Sequence, residues 1–169
     1  YLHRGLEEDM DLRALLPAGE VSVGDQWQIE LGQDLLSPGG DLRIWDHEEG
    51  PDEIAADDQQ RANRHTKITA TYEGTKVEGD VELATIRLQI ESSSSSELSE
   101  SSGSMHIEDS SKLEGELRWD RTHGHARGLS LDGKTLLDVR QTYAVDGAAH
   151  ETSSEFTGEV HLQMDLEDG

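Results

Sequence analysis

From residue 66 onward, apolar and polar side chains trade places every second residue, in one segment after another. Ile68, Ala70 and Tyr72 fall on one side of their segment. Ala84, Ile86, Leu88 and Ile90 do the same, with Thr85, Arg87 and Gln89 opposite. Leu113, Gly115, Leu117 and Trp119 alternate with Glu114, Glu116, Arg118 and Asp120. Leu129 and Leu131, then Leu137, Val139, Gln141 and Tyr143, continue the pattern, and Val160, Leu162, Met164 and Leu166 close it. Successive side chains of an extended strand point to opposite faces, so a period of two gives each strand one dry and one wet side. Segments of this kind build an antiparallel sheet covered on one face. The expected fold is mainly β: an antiparallel curved sheet, half-barrel or sandwich of about seven to ten strands. It would occupy residues 1–169 as a single β-rich domain with a short N-terminal helix as a lead-in.

The punctuation between the alternating segments sets the remaining expectations. Residues 5–16, "GLEEDMDLRALL", place Leu6, Met10 and Leu15 near one helical face, carry acids early, and stop at Pro17. That is the pattern of a short helix. "VSVGDQWQIEL" reads as two short strands or one bulged strand around Gly24. Residues 32–65 show no regular pattern, with a turn at "SPGGD"; "HEEGPDEIAADDQQRANRH" is polar and acidic, either loop or a solvated helix at about residues 52–62. Two Asp-Gly pairs, Asp132-Gly133 and Asp146-Gly147, are hairpin cues. The serine run "SSSSSELSESSGS", residues 92–104, reads as a flexible hairpin tip or loop, because serine buries too little apolar area to offset ordering. The other reading is a pair of strands extended past the sheet as a ribbon, which the alternation of Met105 and Ile107 with His106 allows.

Charge narrows the partners. The chain carries 37 Asp plus Glu against 14 Lys plus Arg, a formal charge of −23. Phosphate backbones and anionic surfaces are repelled by such a chain, so nucleic acid is not an expected partner. Only four of the basic residues are Lys. An acidic, Lys-poor surface suits high salt, where charges are screened over a few ångströms; it equally describes a very acidic protein of ordinary surroundings. There is no cysteine, hence no disulfide and no thiolate chemistry. No apolar run reaches the ~18 residues of a membrane span. The first residue is Tyr1 rather than Met, which fits removal of an upstream segment, and the expected location is exported, periplasmic or cell-surface.

"LLPAGEVSVGDQW" resembles a segment recurring in an uncharacterised family of β-rich exported bacterial proteins of unknown function, many from planctomycete-like bacteria. "GELRWD" and the following "LSLDG" are similar to later stretches of the same group. The resemblance touches about a quarter of the chain and implies a β-rich, exported protein. It implies no catalytic residue. Some β-rich exported bacterial proteins hold lipids in a concave apolar face; this chain departs from them in its acidity and few aromatics, and it starts without a lipidated cysteine.

Residues with chemical potential are few. His123 and His125 stand one residue apart and could share a zinc with further ligands. Gly124 between them and Gly128 after them favour a bend instead, and Arg121 and Arg127 oppose a cation. Calcium is the better metal candidate, through the acids of "WDHEEGPDE" and "AADDQQ", although neither has the spaced ligands of a calcium loop. The expectation is therefore no metal site, no cofactor and no catalytic residue. No G-x-S-x-G elbow and no phosphate-binding glycine loop occurs, and no carboxylate pair stands out. Trp27 and Trp119 are in phase with apolar neighbours and belong to the core; the side taken by Trp45 is open. The role that fits is a non-catalytic binding or assembly module of an exported or surface protein. A small-molecule or lipid carrier using a concave apolar face is the alternative, and a hydrolase comes after both.

Overall fold

The computed structural model describes residues 12–31, 63–100, 103–145 and 148–165. Among them are six strands: β1 (Gln26–Leu31), β2 (His65–Glu78), β3 (Val81–Glu100), β4 (Gly103–Asp120), β5 (His125–Val145) and β6 (Ala148–Asp165). They form one sheet in the order β1-β2-β3-β4-β5-β6, and each neighbouring pair is antiparallel. Every strand thus pairs with the next one along the chain, the arrangement that short connections favour.

Register lines the apolar residues up in rows across the sheet. One row runs Trp27, Ala70, Leu88, Gly115, Leu131, Leu162. The next runs Ile29, Ile68, Ile90, Leu113, Gly133, Val160. A third holds Tyr72, Ile86, Leu117, Leu129 and Met164. These rows share the inner face, and their middles are buried: Ile68, Leu88, Leu117, Leu129 and Leu131 have almost no contact with solvent. Each such side chain contributes about 1.5–3 kcal/mol by leaving water. Gly115 is the small member of its row for a steric reason: a Cβ there would run into the backbone carbonyl of Ser130 on β5.

Leu12 and Leu15 cap this core from a single 3-10 turn, Leu12–Leu15, and both are buried. Trp27 ties the turn down, its indole Nε1 donating to the Leu15 carbonyl at 3.1 Å. Trp27 and Trp119 pack against the core cluster while remaining partly buried, so both belong to the core's rim. Trp45 lies outside the described residues.

Several expectations need correction. The described strands number six, fewer than seven to ten, chiefly because β5 is one strand where two were expected. Asp132-Gly133 is not a hairpin turn but lies in mid-strand, with Gly133 between Leu113 of β4 and Val160 of β6. A two-residue hairpin needs positive φ at its glycine, and among the described residues the positive-φ glycines are Gly24, Gly74, Gly79 and Gly124. Long partners on both sides keep Gly133 extended. The expected helix at 5–16 is represented only by the 3-10 turn, its earlier residues lying outside the described ones. "VSVGD" is a turn, not a strand: the Asp25 amide donates to the Ser22 carbonyl at 2.9 Å, and the Ser22 amide donates to Asp25 Oδ2 at 2.8 Å. Aspartate competes in this way for local backbone groups.

The serine run is also strand. Residues 92–100 form the second half of β3, and the chain reverses only between Glu100 and Gly103. They do not form a free ribbon, because β4 is paired on its other side by β5 over the same stretch. Ser92, Ser94 and Ser96 face inward, and Ser94 and Ser96 are buried. Two of these hydroxyls bond across strands: Ser92 Oγ with Thr66 Oγ1 at 3.1 Å, and Ser94 Oγ donating to Asp109 Oδ1. The β4 ladder runs along the whole stretch, and β2 adds its own at Ser92 and Ser93, which supplies what serine's small apolar area cannot.

Candidate functional site

The sheet is open, so it has two edges, and they differ. β1 covers one edge with six residues, opposite Thr66–Thr71 of β2, and on that side residues 94–100 of β3 have no described strand neighbour. β6 leaves the other edge exposed over 18 residues, and each of residues 148–157 is exposed to solvent. Among the described residues no strand lies beyond β6. An edge strand presents a row of unpaired N–H and C=O groups, and proteins usually blunt such edges with proline, lysine, inward-pointing charge or short length. β6, "AAHETSSEFTGEVHLQMD", holds no proline, lysine or arginine.

The two faces of β6 are distinct. Its inner face carries His150, Thr152, Ser154, Phe156, Gly158, Val160, Leu162 and Met164, as the pairing with β5 fixes. Val160, Leu162 and Met164 reach the core rows. Phe156, the only phenylalanine of the chain, is 57% exposed and stands opposite Leu137 of β5. Val145, on the same inner face at the other end of this hairpin, is exposed as well. The outer face carries Glu151, Glu155, Glu159, His161 and Asp165. Here Arg118 reaches across to Asp165 at 2.7 Å, and His161 Nδ1 meets Asp132 Oδ1 at 2.5 Å.

The histidine pair of the sequence stands at the β4–β5 connection, a four-residue turn at residues 121–124. Gly124 takes φ +75° and donates its N–H to the Asp120 carbonyl at 2.9 Å, so the bend expected from glycine is present. The organising group is Asp120, which sequence reasoning passed over. It is fully buried. Its Oδ1 accepts the His123 backbone N–H at 2.9 Å, and its Oδ2 meets His123 Nδ1 at 2.9 Å and Arg127 Nε at 3.2 Å. His125 Nε2 lies 4.0 Å from the same oxygen. A bulge delivers the arginine: Arg118 pairs with Gly128 and Trp119 with Ala126, leaving Arg127 as the extra residue. An extra residue re-aims its side chain. Burial by itself pushes the Asp120 carboxyl up; the His123 ring bond, the backbone N–H bonds from His123 and Thr122 and the His123 charge outweigh it and hold the carboxyl at about 2.

Chemically this corner is a turn lock. A buried carboxylate fixes the His123 ring through Nδ1, but the ring itself stands more than half in solvent, outside any cleft that would exclude water. The Arg127 guanidinium occupies the carboxylate that a shared cation would use. Among the described residues no group of three or more His, Asp and Glu side chains is arranged to hold a metal ion. The acidic stretches considered for calcium, "WDHEEGPDE" and "AADDQQ", lie outside the described residues, as do His3 and His47.

Among the described residues there is also an open depression of about 610 Å³ on the outer face. It is lined mostly by polar residues, including His65, Ser93, Ser95, Glu108 and Asp138. That lining differs from the enclosed apolar chamber a lipid carrier would use. The described helical content holds no segment long and apolar enough to cross a membrane. Comparison with protein-family models, with curated proteins and with solved structures found no match.

Proposed function

We propose that this chain is a non-catalytic assembly or binding module of an exported or cell-surface protein, and that it works by adding an extended partner segment along the free edge of β6. The observation that carries this reading is the edge itself: 18 residues of strand with an exposed outer row of backbone groups and a solvent-facing phenylalanine. Strand addition takes affinity from main-chain hydrogen bonds and selectivity from alternate side chains. The acids Glu151, Glu155 and Glu159 on the outer face disfavour acids directly opposite them, and Phe156 and Val160 on the inner face favour apolar side chains. Assembly is preferred to the carrier reading because the core beneath the inner face is filled by Leu12, Leu15 and their neighbours. The exported setting rests on the resemblance of "LLPAGEVSVGDQW" to the planctomycete-like group and belongs to the same proposal.

The test is a strand probe. A peptide of alternating valine and lysine, about as long as half of β6, is titrated into the protein, and amide hydrogen exchange is read along β6. Binding with slowed exchange in residues 148–165 is the expected result. Slowed exchange confined to the depression near His65 and Glu108, with β6 unchanged, overturns it.

A further inference from the structure

We infer that the natural occupant of the β6 edge is a second copy of the same strand, paired antiparallel about a two-fold axis at Phe156, so that two sheets of six join into one continuous sheet. This deepens the edge reading above and rests on it. The argument starts from parity. Directly opposite residues of an antiparallel pair project to the same face. For the inner faces of two copies to remain on one side, residue i must meet a residue of like parity, so the two residue numbers sum to an even value. Only a few such registers keep most of β6 paired.

Charge selects among them. A sum of 310 sets Glu155 against itself and Glu151 against Glu159; a sum of 314 sets Glu155 against Glu159. Acids directly opposite are destabilising, and each clash occurs on a chain already at −23. A sum of 316 brings Glu151 against Asp165. At 312 no acid faces an acid: Glu155 meets Thr157, Glu159 meets Ser153, and Glu151 meets His161. That register pairs residues 148–164 of both copies. A sum of 308 also avoids acid pairs but gives up the pairing of residues 161–164.

The same register places Phe156 opposite its own copy. Since Phe156 already neighbours Leu137, the row across the junction becomes Leu137, Phe156, Phe156 of the second copy and Leu137 of the second copy. The exposed phenylalanine then has an apolar row to enter, and an aromatic cross-strand pair adds to strand pairing. His161 comes to lie between Asp132 of its own chain and Glu151 of the other. Repulsion between two chains of −23 opposes association at low ionic strength, and a screening length that falls from about 10 Å at about 0.1 M to about 3 Å at about 1 M salt relieves it. The pairing is therefore favoured by salt.

Because the chain lacks cysteine, single cysteines report the register. In the proposed dimer, Phe156→Cys faces itself, within the Cα separation a disulfide spans. Thr152→Cys faces Val160 of the other copy, so two Thr152→Cys chains hold their thiols about 27 Å apart, at about 3.4 Å per residue over the offset. The expected results are a monomer–dimer equilibrium in sedimentation velocity that shifts toward dimer between about 0.1 M and about 3 M NaCl, and oxidative cross-linking at least about tenfold faster for Phe156→Cys than for Thr152→Cys or Val160→Cys alone. A mixture of Thr152→Cys and Val160→Cys chains cross-links as heterodimer. Circular dichroism of each variant checks folding, which these exposed or half-exposed positions tolerate.

A salt-promoted dimer without preferential linking at residue 156 overturns the register. A strict monomer at all salt concentrations overturns the second copy as occupant. Those two failures are separable from failure of the edge reading itself, because the valine–lysine peptide still protects β6 amides if the edge binds strands of another kind.

Discussion

Replacing Leu131 by alanine tests the sheet where sequence reasoning and structure disagree. Leu131 lies in β5 one residue before Asp132-Gly133, is fully buried, and sits in the row between Gly115 and Leu162. The substitution removes about three methylene-sized groups at about 0.8 kcal/mol each, roughly 2.4 kcal/mol of transfer free energy. The cavity left between rigid neighbours adds roughly 1 kcal/mol at about 24 cal/mol per Å³. The expected loss is about 3.5 kcal/mol. For a chain of this size that lowers Tm by about 7–14 °C. Leu136, five residues later, lies on the outer face and is 37% exposed. Leu136→Ala therefore costs less than about 1 kcal/mol. Urea unfolding followed by circular dichroism measures both. The contrast depends on β5 running straight through Gly133, which fixes the parity of everything after it. Equal losses at the two sites, or a loss below about 1 kcal/mol at Leu131, would refute the continuous strand and the core built on it.

Other outcomes follow from the same geometry. Asp120 has a folded-state pKa of about 2 against its ordinary 3.8, so its stabilisation is present above about pH 4 and is lost as pH falls toward 2. Asp120→Asn is accordingly less stable at neutral pH, and its unfolding free energy varies less between pH 4 and 2 than that of the parent, as denaturant titrations at stepped pH read out. Gly124→Ala places a side chain at φ +75° and costs about 1–2 kcal/mol; a neutral result would remove the left-handed turn. The net charge of −23 predicts that Tm rises with NaCl, steeply below about 0.15 M where screening changes most. A Tm indifferent to salt would show that self-repulsion does not limit this fold.

Side-chain alternation was enough to identify the sheet. Ile68, Ala70, Ile86, Leu88, Ile90, Leu117, Leu129 and Leu131 are core residues in the structure, and each is in phase in its own segment because the pleat has a period of two. The bend at His123 and His125 was likewise legible, since Gly124 announces a local conformation that only glycine adopts cheaply. The Gly79-Asp80 hairpin between β2 and β3, with Gly79 at φ +64°, carried the same signal and was overlooked.

The errors share one cause: they depended on neighbours distant in the chain. Asp132-Gly133 has turn chemistry, yet β4 and β6 hold it extended. The serine run has the composition of a loop, yet the β4 ladder along it and the Ser94–Asp109 bond make it strand. Asp120 looked like one acid among 37, and only the turn and the Arg127 bulge bring its partners together.

The sequence by itself therefore determined the faces, because which side of a strand a residue occupies is a local property of the pleat. Which strands neighbour one another, where each ends, and that no described strand lies beyond β6 were decided by tertiary pairing alone. Register depends on the match between whole strands, which no single segment encodes.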